Sequence, residues 1–261
     1  MGRVQDRVVI VTGGAGGIGA AACRAIAAEG GKLVVADLSA EAAAKVAAQI
    51  VEDGGSATSI GVDVTDRGQV QAMIRHAVDT YGALHAIFNN AGMNRPRDFM
   101  EVDEENFTQI IRVNTWGVML CTQEAARQFI SQGTGGKIIN TASIAGRQGY
   151  WDFAPYCAAK FGVVALTQAA ARGLVQHGIT VNGFAPGVVD TPMWIGLNED
   201  IRAIHDAPAD DNPMVDFATN TLIGRPARPD ELTPFLVYLA SPESDYMTGQ
   251  VYMVDGGQVL L

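Results

Sequence analysis

Short apolar runs rich in valine and isoleucine alternate along this chain with longer amphipathic stretches, and that alternation restricts the fold more than any other property of the sequence. A strand apolar on both faces must be covered on both faces, which crossover helices do, so the pattern predicts a parallel, doubly wound α/β sheet. Arg7 to Thr12 reads as the first strand. Ala20 to Glu29 is alanine-rich helix stopped by Gly30-Gly31, and Lys32 to Ala36 is a second strand closed by Asp37. Glu41 to Glu52 reads as helix, Ala57 to Val62 as strand, and Thr65 to about Tyr81 as helix. Leu84 to Phe88 is a fourth strand that empties into the turn-prone Asn89-Asn90-Ala91-Gly92. A long amphipathic stretch from Asp103 to about Gln132 is interrupted at Asn114 and Gly117. Strand Lys137 to Ala142 runs into Ser143, and Pro155 opens a helix that reaches His177 and stops at Gly178. Ile179 to Phe184 and Gln250 to Val254 are the last strands, with helix Pro229 to Leu239 between them. The stretch from Thr191 to about Arg225 holds Pro192, Pro208 and Pro213 and reads as a helical lid or loop insertion.

With 261 residues, nearly half of them hydrophobic, one substantial core suffices, and a single domain over 1–261 is expected. The chain carries 18 basic against 28 acidic residues, a formal charge of −10, with no basic run. That balance opposes attraction to phosphate backbones, so nucleic acid is not an expected partner. Cys23, Cys121 and Cys157 have no metal-ligand spacing and make a poor disulfide framework, and no bound metal is expected. The first residues lead straight into a strand-like run without a long apolar segment or a small-residue cleavage site. A reducing cytoplasm, with neither secretion nor a membrane span, fits this reading.

Thr12-Gly13-Gly14-Ala15-Gly16-Gly17-Ile18-Gly19 lies directly between the first strand and the first helix. Backbone amides and a helix N-terminus there can hold a pyrophosphate. Two registers fit, Gly14-x-Gly16-x-x-Gly19 and Gly13-x-x-x-Gly17-x-Gly19, and spacing does not choose between them. Ala20 follows Gly19, so the lysine of a nucleotide-triphosphate loop is missing. Asp37, 18 residues beyond Gly19, can accept hydrogen bonds from an adenosine ribose and repel a 2′-phosphate. Neither Gly16 nor Leu38 beside it offers a cation, so NAD is the expected cofactor rather than NADP. The plainer role for Asp37 is a cap on the following turn, a job Ser39 can also do.

Tyr156 and Lys160 are four residues apart, about one helical turn, so on a helix they leave the same face. A phenol titrates near pH 10, and an adjacent ammonium favours its phenolate, moving the hydroxyl toward proton exchange near neutrality. The spacing alone is common, and a packed aromatic beside a solvated lysine accounts for it equally. Its company is what matters: the glycine turn, Asp37 and Ser143.

Thr12 to Gly19, Asn89-Asn90-Ala91-Gly92, Asn114, Ser143, Tyr156-x-x-x-Lys160 and Pro186-Gly187 together closely resemble the short-chain dehydrogenase/reductase family, over nearly the whole chain. The resemblance implies a Rossmann-type sheet of about seven parallel strands and the glycine register Gly13, Gly17, Gly19, with Gly16 and Ile18 in the same turn. It implies Tyr156 as general acid/base, Lys160 as ribose ligand and tuner of the phenol, Ser143 as the group positioning the substrate oxygen, and Asn114 as a relay through bound water. Asp37 and Leu38 would lie on the adenosine side and Asp63 and Val64 against adenine, with Asn90, Ala91 and Gly92 behind the adenine ribose. Pro186, Gly187, Val189 and Thr191 would lie beside the nicotinamide. Val64 and Val189 serve equally as strand-end core residues.

Gly136 to Asn140, Gly178 to Asn182, Thr191 to Trp194 and Ser244 to Gly249 resemble bacterial acetoin/2,3-butanediol and polyol dehydrogenases, implying a small polar secondary alcohol as substrate. Gln148 is then placed to hold a second oxygen, a role it shares evenly with that of a solvated loop residue. Trp194, with Trp151 and Phe153, is a candidate apolar wall, and Met93 and Asn94 border the same cleft by analogy. Ile201 to Asp216 departs from the diol enzymes, and His205 within it reads as a surface residue. The rival enzymatic reading is a 3-oxoacyl-thioester reductase, against which Asp37 and the net negative charge argue; a non-catalytic dinucleotide sensor or scaffold is the reading from another class. By the same resemblance the helices from Asp103 and Pro155 pack against their counterparts in a homotetramer.

Overall fold

The computed structural model describes residues 2–260. Seven strands, β1 (Val8–Thr12), β2 (Lys32–Asp37), β3 (Ser56–Gly61), β4 (Ala86–Asn89), β5 (Gly136–Thr141), β6 (Ile179–Pro186) and β7 (Val251–Val254), pair in the order β3-β2-β1-β4-β5-β6-β7. Every pairing is parallel. The helices between them are α1 (Gly17–Ala28), α2 (Ala40–Glu52), α3 (Arg67–Tyr81), α4 (Glu104–Ile111), α5 (Gly117–Gln132) and α6 (Ala154–Leu174). After β6 come α7 (Met193–His205), α8 (Pro213–Thr219) and α9 (Pro229–Ala240).

The two-residue period of a strand sends alternate side chains to opposite faces, and here both faces are buried. Val9 and Val11 pack with Ile26 and Leu236 on the side of α1 and α9. Val8 and Ile10 pack with Val70, Met73 and Leu120 on the side of α3 and α5. β1 is paired with β2 on one side and β4 on the other, so the chain winds outward in both directions from it. At that reversal the loops after the strands diverge and leave a crevice beyond their carboxyl ends, where Gly13, Asn90, Ser143 and Gly187 all sit.

Two boundaries carry more than bookkeeping. Helix α1 begins at Gly17, inside the glycine turn, three residues before the expected start at Ala20, so the turn's amides belong to a helix N-terminus. The interruption expected at Asn114 is a π-helical turn, Arg112–Trp116, joining α4 to α5. The stretch after Thr191 folds as α7 and α8, the helical alternative for the lid. No helix among the described residues is long and apolar enough to cross a membrane.

Candidate active site

The glycine turn opens the cleft. Gly13 and Gly17 have φ of 61° and 50°, and Gly19 sits so close to the Gly13 carbonyl that a Cβ would lie 2.1 Å from its oxygen. The backbone thus selects the Gly13, Gly17, Gly19 register. Gly16, extended at φ −151°, has no neighbour where a Cβ would stand. An open concavity ringed by amides at a helix N-terminus fits a dinucleotide's pyrophosphate. Asn90 fastens β4 to this turn, its Nδ2 donating to the Thr12 and Gly13 carbonyls at 3.1 Å each, while the amides of Asn90 and Ala91 donate to Thr12 Oγ1.

Asp37 ends β2 and lines the cleft, its carboxylate accepting from the amides of Ala15 and Ser39 at 3.1 Å each. Ser39, not Asp37, caps α2 by accepting from the Ala42 amide. Leu38 beside it is 77 % exposed. Asp63 accepts from the Thr65 amide at 2.8 Å, and Val64 is buried against Gly117. Gly19, Leu38, Asp63 and Val64 do not line the cleft, Gly19 being buried in α1 against the Gly13 carbonyl; the other expected cofactor residues, Ile18, Ala91, Gly92, Pro186, Gly187, Val189 and Thr191 among them, come together in it.

The chemistry sits where α6 crosses the end of β5. Tyr156 and Lys160 leave one face of α6, Ser143 follows β5, and all three line a cleft of about 360 Å³. Lys160 is 3 % exposed and donates from Nζ to the Thr141 carbonyl at 2.8 Å; its nitrogen stands 5.4 Å from the centroid of the Tyr156 ring. Burial drives the Lys160 pKa down to about 7. Burial also drives the Tyr156 phenol up, to about 12, and hydrogen bonding by Ser143 offsets only part of that. The expectation that Lys160 lowers the phenol's pKa is therefore corrected for this form of the protein. Desolvation is the dominant influence on both groups, and at a pKa of about 7 the lysine carries its charge only about half the time at pH 7.

Asn114 lies fully buried in the π-helical turn, its Nδ2 donating to the carbonyls of Met93 (2.7 Å) and Ile110 (2.9 Å) and its Oδ1 accepting from the Met93 amide. It also lines the cleft, so the extra residue of the π turn aims this side chain at the segment behind Gly92. Gln148 does not reach the cleft: it is exposed, because the loop after Ser143 turns outward with the Gln148 amide bonded to the Ile144 carbonyl. Asn94 lines the cleft instead, and its buried Oδ1 has no hydrogen-bond partner among the described residues.

The wall opposite the glycine turn is aromatic. Trp194 of α7 and Phe153 are on it, as expected, together with Tyr150 and Phe217. Trp151 is not; half exposed, it packs at a tilt on His205, 5.1 Å between ring centroids and 35° between planes. His205 is exposed, the surface placement expected of it, and its Nε2 lies 3.4 Å from Oδ2 of the buried Asp152. No sequence spacing links Phe217 to Tyr150 or His205 to Asp152; only the fold brings these pairs together.

Comparison with known proteins agrees with this geometry. Residues 7–202 match the family described as short chain dehydrogenase. L-2,3-butanediol dehydrogenase of Corynebacterium glutamicum is 39 % identical over 98 % of this chain and 99 % of its own length. Sorbitol dehydrogenase of Cereibacter sphaeroides is 36 % identical over 98 % of each. The crystal structure of a short-chain type dehydrogenase/reductase from Mycobacterium marinum superposes with a TM-score of 0.89 at 34 % identity, covering 99 % of this chain and 97 % of that one. Agreement over nearly the whole chain in sequence and in fold means that the chain belongs to the short-chain dehydrogenase family.

Proposed function

We infer that this enzyme interconverts a small, neutral secondary alcohol and its ketone with NAD(H), in the range of vicinal diols, hydroxyketones such as acetoin, and polyols. The observation that carries the reading is the convergence of Ser143, Tyr156 and Lys160 on one cleft whose other end is the glycine turn. A bound nicotinamide cofactor supplies the hydride acceptor or donor, held by the Gly13–Gly19 turn, Asp37 and the Pro186–Thr191 segment. Ser143 orients the substrate oxygen, and Tyr156 exchanges a proton with it. Lys160, with a pKa brought to about 7, both takes and gives a proton near neutrality, which suits it to relay between Tyr156 and the Asn114 side of the cleft. Asp37 supports NAD over NADP, since a carboxylate at the ribose edge repels a 2′-phosphate. Asn94 Oδ1 offers an acceptor for a neighbouring hydroxyl, the role expected of Gln148.

Two further parts of the proposal concern the protein's setting. Phe107 on α4, Trp116 in the π turn and Phe161 on α6 are each close to half exposed, an apolar surface suited to a homotetramer, which light scattering tests. The three cysteines are free and buried, which suits a reducing cytoplasm. Activity is tested by NAD reduction with 2,3-butanediol, acetoin and sorbitol. Tyr156→Phe should lose about 10²-fold or more in kcat; a Phe variant with full turnover would falsify the mechanism.

A further inference from the structure

Resting on that reading of the site, we propose that the alcohol this cleft selects carries an apolar ring, alicyclic or aromatic, on the carbinol side facing the lid, and that Phe217 sets this preference. Among the described residues lining the cleft, Asp37 and Lys160 are the only acidic or basic side chains, and the proposed function uses both for the nucleotide and for proton transfer. The remainder of the substrate side has no ion to meet a carboxylate or phosphate, so the substituent bound there is neutral. Four rings form its surface. Phe217 touches three others, stacking on Phe153 at 5.9 Å with 23° between planes, meeting Tyr150 edge-on at 6.2 Å and lying 6.1 Å from Trp194. Tyr150 and Phe153 are 6.3 Å apart.

This cluster is tied to both halves of the site. On the catalytic side the Tyr150 amide donates to Sγ of Cys157, the residue next to Tyr156. On the lid side Leu197 and Ile201 of α7 are buried against Ala145, Phe153 and Cys157, and Tyr156 itself packs on the same group. A ring seated in the cleft against the surface these four side chains present to it is met by aromatic faces and edges, as they already meet one another. Asn94 Oδ1 and Thr141 Oγ1 are buried without partners on the cleft wall and can serve one or two hydroxyls, but the further hydroxyls of an open polyhydroxy chain would lose water against Phe153, Leu197 and Phe217.

The test compares kcat/KM for NAD reduction with 1,2-cyclohexanediol, 2,3-butanediol and sorbitol, and binding of cyclohexanol and 2-butanol followed by tryptophan fluorescence. Two added ring carbons are worth about tenfold, so cyclohexanediol should exceed butanediol by about that factor and cyclohexanol should bind about tenfold tighter than 2-butanol. Phe217→Ala should erase both preferences, and Phe217→Leu should retain the binding preference only in part. A preference for butanediol or sorbitol, or a ring preference unmoved in Phe217→Ala, overturns the proposal and leaves the dehydrogenase reading standing. Absence of turnover on every alcohol removes that reading, and the binding ratio then decides the ring preference by itself, equal affinities refuting it.

Discussion

Lys160 and Tyr156 leave the same face of α6, yet the lysine nitrogen gives its hydrogen bond to the Thr141 carbonyl at 2.8 Å and stands 5.4 Å from the tyrosine ring centroid. Burial raises one group's pKa to about 12 and lowers the other's to about 7, so in the free enzyme both are neutral between those values. An ultraviolet difference titration, wild type minus Tyr156→Phe, should show no phenolate from Tyr156 below pH 10 without nucleotide. The lysine has a stability signature. Its folded pKa is below the unfolded value of 10.5, so the unfolded chain binds the extra proton between about 7 and 10.5 and wild-type stability gains from this group as pH rises through that window. Lys160→Arg stays charged and forgoes the gain. Its deficit in Tm should therefore widen from pH 7 to pH 10, and a constant deficit would show that Lys160 is charged throughout.

Two glycines of the same turn should respond oppositely to alanine. At Gly19 a Cβ would lie 2.1 Å from the Gly13 carbonyl oxygen, and at Gly16 it would meet nothing within 4 Å. Gly19→Ala forces the turn apart and should cost about 1–3 kcal/mol or more of stability. Gly16→Ala, with extended backbone that alanine adopts freely, should melt like wild type yet bind NAD more weakly by calorimetry, because its methyl occupies the concavity. Equal NAD affinity in Gly16→Ala would place the pyrophosphate elsewhere.

How much of this could be read before folding divides by range. The β1 turn, the strand succession and the Tyr156–Lys160 pair are local or periodic, and periodicity located them within a few residues. Their energetics were not legible, since spacing says which residues share a helix face but not that Lys160 is 3 % exposed. The π turn at Arg112–Trp116 left a trace, the interruption at Asn114, because its cause is one extra residue in a helix. Phe217 and His205 left none. Each meets a partner more than 50 residues away across the lid, as Asp152 and His205 do at a separation of 53, and no pattern within either segment encodes the other. Gln148 failed for a related reason: its distance along the chain from Ser143 was right, but the loop's direction is fixed by the Ile144 carbonyl.

Asp37 serves two masters, and two substitutions separate them. It accepts from the Ala15 amide, bracing the glycine turn, and presents its charge to the cleft. Asp37→Asn keeps an acceptor oxygen and removes the charge, so it should leave the unfolding free energy within about 1 kcal/mol of wild type while shifting the NAD/NADP affinity ratio about tenfold toward NADP. Asp37→Ala should shift the ratio similarly and also lose stability. Should both variants keep the wild-type ratio, the carboxylate is a brace alone and the NAD assignment loses its support.

The last turn of α7 is clasped to the loop before α6 through His205 and Asp152, 3.4 Å apart, with Asp152 2 % exposed and Trp151 tilted against the imidazole. The other end of the same helix brings Trp194 to the cleft, so the clasp and the aromatic wall lie on one helix. His205→Ala leaves a buried carboxylate without its imidazole and removes the ring packed against Trp151. Losing a partner from a buried polar group costs about 1–3 kcal/mol, and because His205 is partly solvated the lower end applies. The global melt should move little, since the sheet does not depend on the lid. KM for the alcohol should rise several-fold with kcat less affected, and protease cleavage between α7 and α8 should quicken. His205→Gln, which can still donate to Asp152, should recover most of the KM. An unchanged KM and cleavage rate in His205→Ala would mean that Leu197 and Ile201 hold α7 in place without the clasp.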